Sequence, residues 1–173
     1  MPSVLSRIND ATKFVVGGIA FAALLWQHDA RACWCIVGSI VAALNCKLLK
    51  LAINQARPPG ARKADPGMPS SHAQSLGFLS AYAACELLAA GGRGPRLLAA
   101  VVLGAGVFLS WLRVALRFHT FWQVLVGHAL GSASAAAWLW LGHEHALPLL
   151  AAAGAPALAG LYTATAASAC AFA

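Results

Sequence analysis

Charged side chains are scarce in this chain of 173 residues, in which 10% of the residues are charged and 60% are hydrophobic. A soluble domain of average composition carries about 25% charged residues. The shortage excludes a soluble globular domain, and the high hydrophobicity excludes a disordered chain, which needs the opposite balance. The composition therefore predicts an all-α membrane protein of one domain, a bundle of about six helices that crosses the bilayer several times.

Carboxylates are the scarcest charged groups. Twelve lysines and arginines face five acids, which lie singly at Asp10, Asp29, Asp65, Glu86 and Glu144. Two-metal phosphatases and enzymes that form an aspartyl phosphate both need clustered carboxylates. We therefore expect chemistry without a metal or other cofactor. The net charge of +7 favours the lipid bilayer and a phosphorylated substrate as partners, rather than nucleic acid.

Hydrophobic runs predict six membrane-spanning helices, at residues 14–27, 32–51, 71–90, 97–114, 120–141 and 147–172. The first run is short, and a cleaved signal peptide is a less favoured alternative because polar residues interrupt its end. The last run is rich in alanine and broken at Pro156, so a weak sixth span and an Ala-rich tail both stay open. We expect the functional domain to cover 1–146 and the tail 147–173.

Six spans would gather nine of the twelve bases on one side of the membrane, at Arg7, Lys13, Lys47, Lys50, Arg57, Arg62, Lys63, Arg113 and Arg117. The other side would hold Arg31, Arg93 and Arg96. Basic loops face the cytosol or its organellar equivalent, so the nine-base side is predicted to face there. If three of the nine bases serve the chemistry, the bias falls to six against three.

The first motif on that side is Lys50, followed seven residues later by Arg57 and then by Pro58. Seven residues are two helical turns, so both bases project from one face at the end of the second helix, which Pro58 stops. Two fixed cations suit a phosphate, and arginine can bind two of its oxygens. The plain alternative is that the bases only reach for lipid headgroups.

The second motif is M-P-S-S-H, from Met68 to His72, directly before the third helix. Ser70 is the predicted N-cap, and the helix N-terminus behind it leaves backbone N–H groups that attract an anion. His72, in the first turn, can donate a proton to a leaving alkoxide. The plain alternative is a capped helix start with an incidental histidine.

The third motif begins at Arg113 and contains His119 and Gln123. The last two lie four residues apart and can touch on a helix. An amide carbonyl that accepts a hydrogen bond from Nδ1–H leaves Nε2 free as a nucleophile or base. A lone interfacial histidine is the plain alternative. Together, however, the three motifs place two histidines and three bases on one membrane face, which predicts a metal-free phosphate site with a histidine nucleophile.

In this order and at these spacings, the motifs resemble those of the type 2 phosphatidic acid phosphatase superfamily, whose pattern is K-x6-R-P, P-S-G-H and S-R-x5-H-x3-D. The chain reads K-x6-R-P from Lys50, P-S-S-H from Pro69 and L-R-x5-H-x3-Q from Leu112. The resemblance implies that His119 forms a phosphohistidine, that His72 protonates the leaving group and that Gln123 orients the nucleophile. It also implies that the phosphate oxygens are held by Lys50, Arg57, Ser70, Ser71 and Arg113, without a metal.

Three residues depart from the family pattern. Ser71 replaces a glycine, Leu112 replaces a serine, and Gln123 replaces an aspartate. The last change removes the negative charge that would stabilise the imidazolium of His119. It could weaken the enzyme or tune it, and a lipid-binding pseudoenzyme is one alternative. From the sequence we expect Gln123→Asp to leave turnover unchanged or to raise it.

The sequence around the motifs narrows the resemblance. G-M-P-S-S-H-A-Q-S from Gly67 and H-T-x-x-Q-V from His119 resemble the dolichyldiphosphatase branch. L-W-Q-H-D-A from Leu25 and S-W-L-R-V from Ser110 are similar to plant chloroplast lipid phosphate phosphatases of the epsilon and gamma type. This implies a phosphatidate phosphatase of a chloroplast membrane that releases diacylglycerol and phosphate. A dolichyl or polyprenyl diphosphate phosphatase of the endoplasmic reticulum stays open, because the motifs read only the phosphate.

Overall fold

The computed structural model describes residues 3–27, 29–61 and 64–172, so His28, Arg62 and Lys63, which the sequence argument used, lie outside the described residues. Every regular element within these ranges is helical, which confirms the all-α prediction. The helices are α1 (Val4–Gln27), α2 (Ala30–Ile53), α3 (Ser71–Ala90), α4 (Arg93–Ala115), α5 (Phe121–Leu141), α6 (Leu147–Ala153) and α7 (Ala155–Phe172). A π-helical turn, Gly142–Ala146, joins α5 to α6.

Helix α1 begins at Val4, so the predicted start at residue 14 was wrong. Its first turns carry Ser6, Asn9 and Thr12 at intervals of three residues, and all three are buried. Because these polar side chains lie on one face that packs into the bundle, the segment does not register as an apolar run. The consequence is that α1 brings polar groups to the region of the three motifs.

Four stretches of the described residues are long and apolar enough to cross a membrane, at Val4–Trp26, Ala30–Ile53, Arg93–Ala115 and Phe121–Ala153. Helix α3 is not among them, since it carries polar residues such as Gln74 and Ser80. It is the central helix and packs against α2, α4 and α5. The buried Gln74 amide donates to the Ala42 carbonyl at 2.6 Å, so the neighbouring helices satisfy its polar groups.

Helices α3 and α5 cross in close contact at glycine positions. A Cβ atom on Gly127 would lie 2.6 Å from the carbonyl oxygen of Ser70, and one on Gly131 would collide with the carbonyl oxygen of Gln74. Small residues at such positions let two helix backbones approach within a membrane protein. This crossing sets the start of α5 directly against the start of α3 and so brings the second and third motifs together.

The end of the bundle away from the motifs is held by different contacts. The indole rings of Trp34 and Trp138 stack with centroids 4.4 Å apart. Each indole N–H donates to the backbone carbonyl of the other residue, at 2.9 and 2.8 Å. At this end Glu86 also pairs with Arg31 at 3.6 Å and with His143 at 3.3 Å. These contacts tie α2, α3 and α5 together far from Lys50 and His119.

The predicted last span is not one continuous helix. It breaks at Gly154, whose φ of +79° lies in the left-handed region that glycine adopts without strain. Helix α6 stops there after seven residues, and α7 packs against α2 and α6. The division of the chain at residue 146 into a functional domain and a tail stays a prediction.

Candidate active site

A cavity of about 780 Å³ lies where the three motifs meet. Six of the eight predicted site residues line it, namely Lys50, Arg57, Ser71, His72, Arg113 and His119. The other two, Ser70 and Gln123, lie behind its wall with 0% and 1% of their surface exposed. Side chains from α1 complete the wall, so residues far apart in the sequence form one site.

Lys50 and Arg57 both bind Asp65, a residue that sequence reasoning did not place in the site. Lys50 Nζ donates to Asp65 Oδ2 at 2.9 Å and to the Pro66 carbonyl at 2.8 Å. Arg57 Nη2 donates to both carboxylate oxygens of Asp65, at 2.9 and 2.8 Å, and Arg57 Nε donates to its carbonyl at 3.0 Å. Two of the three predicted phosphate-binding cations therefore share one carboxylate of the chain.

Asp65 is strongly acidic in this setting. Burial alone would raise the pKa of its carboxyl group, but the hydrogen bonds and charges of Lys50 and Arg57 outweigh burial and lower the pKa to about 2. The side chain of Asp65 is 48% exposed, whereas those of Lys50 and Arg57 are 10% and 6% exposed. An ionised carboxylate thus covers two buried cations on their solvent side.

His119 is held by the turn between α4 and α5. Arg117, with φ of +56°, reverses the chain, and the His119 N–H donates to the Arg113 carbonyl at 3.1 Å. The Nδ1 atom of His119 lies 3.2 Å from Gln123 Oε1, and its Nε2 atom lies 2.8 Å from Arg57 Nη1. Because guanidinium only donates, Nε2 is the acceptor and Nδ1 carries the proton. The lone pair of Nε2 therefore accepts the hydrogen bond from Arg57, at the wall of the cavity that both residues line.

The charge state of His119 follows from its surroundings. Burial lowers the pKa of the imidazole, and the positive charges of Arg57, Arg113 and Lys50 act in the same direction, so that the pKa falls to about 4. The hydrogen bond to Gln123 opposes them without reversing the shift. His119 is consequently neutral at physiological pH, which is the form that acts as a nucleophile.

Gln123 has a fixed amide orientation. Its Oε1 atom accepts hydrogen bonds from the Thr120 N–H and from His119 Nδ1, both at 3.2 Å. Its Nε2 atom donates to Gln55 Oε1 at 2.9 Å and to the Ala56 carbonyl at 2.8 Å. Gln123 also forms a capping box with Thr120, which starts α5 at this point. A single amide therefore positions the imidazole and ties the segment before Arg57 to α5.

The start of α3 forms another wall of the cavity. Ser70 is the N-cap, as predicted, and its hydroxyl accepts from the Ala73 N–H at 3.5 Å. Its own N–H donates to the Gln123 carbonyl at 3.0 Å. The structure thus uses Ser70 to cap the helix and places it outside the cavity lining, while Ser71 and His72 face the cavity.

Arg113 reaches the cavity from α4. Its Nη1 atom donates to Asn9 Oδ1 of α1 at 2.8 Å, and its guanidinium lies 4.1 Å from the ring centroid of Phe118. The amide of Asn9 in turn donates to Asp10 Oδ1 at 3.0 Å. The Nε atom of Arg113 is buried without a hydrogen-bond partner among the described residues. The N-terminal helix therefore holds a residue of the third motif.

Sequence reasoning missed three residues of this site. Asn9 had a usable signal, because Ser6, Asn9 and Thr12 recur every three residues and so mark one helical face. Asp65 had a weaker one, as the single carboxylate between the first and second motifs. Gln55 had none, since its contact with Gln123 depends on how two distant segments meet.

The helical bundle and its three motifs can be compared with known protein families. Residues 31–146 match the PAP2 superfamily, and the chain belongs to it. Helix α1, which supplies Asn9 to the site, precedes the matched region. Among the described residues, no group of three or more His, Cys, Asp or Glu side chains is arranged to hold a metal ion.

The chain is also similar to individual proteins. It is 36% identical over 132 residues to lipid phosphate phosphatase epsilon 2, chloroplastic, of Arabidopsis thaliana, covering 75% of this chain and 46% of the relative. It is 38% identical over 133 residues to the epsilon 1 protein of the same plant, covering 76% and 48%. Dolichyldiphosphatase 1 of Mus musculus is 35% identical over 116 residues, covering 59% and 49%. The chain thus spans about half the length of these relatives, and no solved structure matched it.

Proposed function

We propose that this chain is a metal-independent lipid phosphate phosphatase that hydrolyses phosphatidate to diacylglycerol and phosphate through a phosphohistidine. The observation that carries the proposal is the neutral His119, which carries its proton on Nδ1 and lines a cavity together with three cationic side chains, those of Lys50, Arg57 and Arg113. A neutral imidazole can attack phosphorus, and fixed cations stabilise the charge that develops on its oxygens.

The reaction would proceed in two displacement steps. In the first, Nε2 of His119 bonds to phosphorus while the bond from phosphorus to the glycerol oxygen breaks, and His72 donates a proton to that oxygen. In the second, water attacks the phosphohistidine, His72 takes the proton of the water, and the bond from phosphorus to Nε2 breaks. Phosphate leaves and both histidines return to their starting states, so atoms and protons balance.

The shape of the cavity supports a lipid as the substrate. Beyond the charged groups it is lined by Phe14 and Val16 of α1 and by Leu76 and Leu79 of α3. A phosphate at the polar part would therefore have its hydrocarbon portion beside apolar side chains. The names of the two plant relatives support a lipid phosphate, and they favour a chloroplast membrane as the location.

A polyprenyl diphosphate is the second candidate substrate, with the endoplasmic reticulum as the matching location. It is favoured by the similarity to a dolichyldiphosphatase. The chemistry at His119 would be the same, except that the leaving group would be a polyprenyl phosphate whose bond to the terminal phosphorus breaks.

The test is phosphate release by the purified full chain in detergent with EDTA present, from phosphatidate and from a polyprenyl diphosphate in parallel. We expect release from both to survive EDTA and kcat/KM to be higher for phosphatidate. A higher value for the diphosphate would move the assignment to the second candidate. No release from either substrate would overturn the proposal and favour a lipid-binding protein without activity.

Activity is expected to extend to acidic pH. The acidic limb of kcat/KM reports the group of the free enzyme that must be unprotonated, here His119. Because its pKa is lowered to about 4, the rate should fall only near that pH, not near the ordinary histidine value of about 6.5. The measurement is a pH profile of kcat/KM in the detergent-purified protein.

The variant Arg57→Gln provides the comparison for this profile. It removes the positive charge nearest to Nε2, so protonation becomes easier and the acidic limb should move to higher pH, although the rate itself will fall. A wild-type limb near the ordinary histidine value, or a limb that Arg57→Gln leaves in place, would contradict this assignment.

A further inference from the structure

The two cations that a phosphate needs already hold a carboxylate of the same chain. We propose that Asp65 is an internal occupant of the phosphate site, which competes with the substrate phosphate for Lys50 and Arg57 and gives them up as the phosphate enters. This inference rests on the proposed phosphate site and assigns to that site a residue that sets its affinity.

The contacts of Asp65 resemble those that a phosphate would make. Two carboxylate oxygens face two cationic side chains at 2.8 to 2.9 Å. Paired oxygens on a guanidinium are the arrangement that arginine also offers to phosphate. Lys50 and Arg57 cannot satisfy both anions fully at once, so binding a phosphate requires at least part of these contacts to break.

The position of Asp65 makes the competition direct. Its side chain is about half exposed and lines the same cavity as the almost fully buried Lys50 and Arg57. A phosphate that approaches the buried cations from the cavity therefore meets the carboxylate first. Charge repulsion between the two anions adds to the cost of entry.

Displacement of Asp65 also bears on the nucleophile. Arg57 uses Nη2 for Asp65 and Nη1 for Nε2 of His119, so a single guanidinium bridges the carboxylate and the reactive lone pair. A phosphate that draws Arg57 towards its own oxygens would free Nε2 for attack. The exchange of anions thus couples the arrival of the substrate to the exposure of the nucleophile.

Competition, and not protonation, must clear the site. The pKa of Asp65 is lowered to about 2, so the carboxylate keeps its charge across the working pH range. When only a fraction of the protein is competent to bind, the apparent Kd rises in inverse proportion to that fraction. An internal carboxylate that occupies the cations about nine-tenths of the time would therefore weaken phosphate binding about tenfold.

The experiment is calorimetric titration of the full chain in detergent with inorganic phosphate, without any lipid substrate. Asp65→Asn keeps the size of the side chain and removes its charge, and we expect it to lower the Kd for phosphate at least about tenfold. Asp65→Glu keeps the charge, and we expect a Kd within about threefold of the wild-type value.

Asp10→Asn is the matched control. Asp10 lines the same cavity, but its carboxylate contacts Asn9 and Ser6 and, among the described residues, forms no ion pair with Lys50, Arg57 or Arg113. Its removal changes the net charge by the same amount. An equal gain of affinity in Asp10→Asn and Asp65→Asn would overturn the proposal, since it would show a general charge effect.

Two further outcomes would overturn it. One is a phosphate affinity that Asp65→Asn leaves unchanged or weakens. The other is loss of folding in both Asp65→Asn and Asp65→Ser, as measured by thermal unfolding. That result would make the carboxylate a structural requirement. Because the titration needs no turnover, tighter phosphate binding by Asp65→Asn would support the inference even in a protein that hydrolysed no lipid, so the two proposals fail separately.

Discussion

Replacing His119 with alanine is expected to lower the rate of phosphate release at least about 10³-fold, the range typical for loss of a catalytic nucleophile. The variant removes the only protein atom that the proposed mechanism bonds to phosphorus, while Lys50 and Arg113 still line the cavity. Binding of inorganic phosphate should therefore persist although turnover is lost. The measurement is the initial rate of phosphate release from phosphatidate, together with phosphate titration of the same preparation.

His143→Ala is the matched control for this variant. It also removes an imidazole, but at the opposite end of the bundle, where the side chain is about half exposed and pairs with Glu86. We expect its rate to equal that of the wild type. A His119→Ala protein that kept more than about a tenth of the wild-type rate would exclude His119 as the nucleophile.

Replacing Gln123 with glutamate is expected to lower turnover about 10²-fold and to destabilise the protein. The amide donates to Gln55 Oε1 and to the Ala56 carbonyl, and a carboxylate would face these acceptors without a proton to donate. Each unsatisfied buried group costs about 1 to 3 kcal/mol, and more when a charge is buried. The measurements are kcat and the midpoint of thermal unfolding in detergent.

This expectation reverses the one that the sequence suggested for Gln123→Asp. An aspartate is one carbon shorter and also lacks the amide donors, so the structure gives it no means of replacing the contacts of Gln123 with Ala56 and Gln55. We therefore expect Gln123→Asp to lose turnover as well. The departure from the family pattern has a structural reason, because the amide serves as acceptor for His119 and as donor for the segment before Arg57.

Gln55→Glu separates charge from hydrogen bonding. It adds the same negative charge next to Gln123, on an exposed side chain, but leaves the Gln123 amide able to donate to it. We expect near wild-type turnover and stability. If Gln123→Glu behaved like the wild type, or if Gln55→Glu were equally harmful, the role assigned to the amide would be wrong.

Helix positions were predictable where apolar runs end at strong local signals. The bounds of α3 agree with the prediction at both ends, because Ser70 caps its start and Gly91 follows its last residue. Helix α1 extends further than hydropathy indicated, since its buried polar face depends on neighbours that a sequence does not show. The break at Gly154 was missed because the nearby Pro156 was the stronger signal, whereas the left-handed glycine ends α6.

The candidate site was predictable only where residues that are close in the sequence contact each other. The four-residue interval between His119 and Gln123 is met by a contact. The predicted helical spacing of Lys50 and Arg57 was wrong, because α2 ends at Ile53 and Asn54, with φ of +46°, turns the chain before Arg57. The roles inferred for these residues stay predictions. The partner of the two cations was not predictable, because Asp65 joins them through tertiary contacts in a loop that carries no periodic pattern.

Helix α5 is long enough to place His119 and His143 on opposite sides of a membrane. Its 21 residues rise about 32 Å at about 1.5 Å per residue, close to the thickness of about 30 Å of a bilayer's hydrocarbon core. His119 precedes its first turn, and His143 follows its last, beside Glu86 and Arg31. The proposed chemistry is therefore confined to one side of the membrane. The leaflet on the His119 side supplies the phosphate group, and the compartment that this side faces receives the inorganic phosphate.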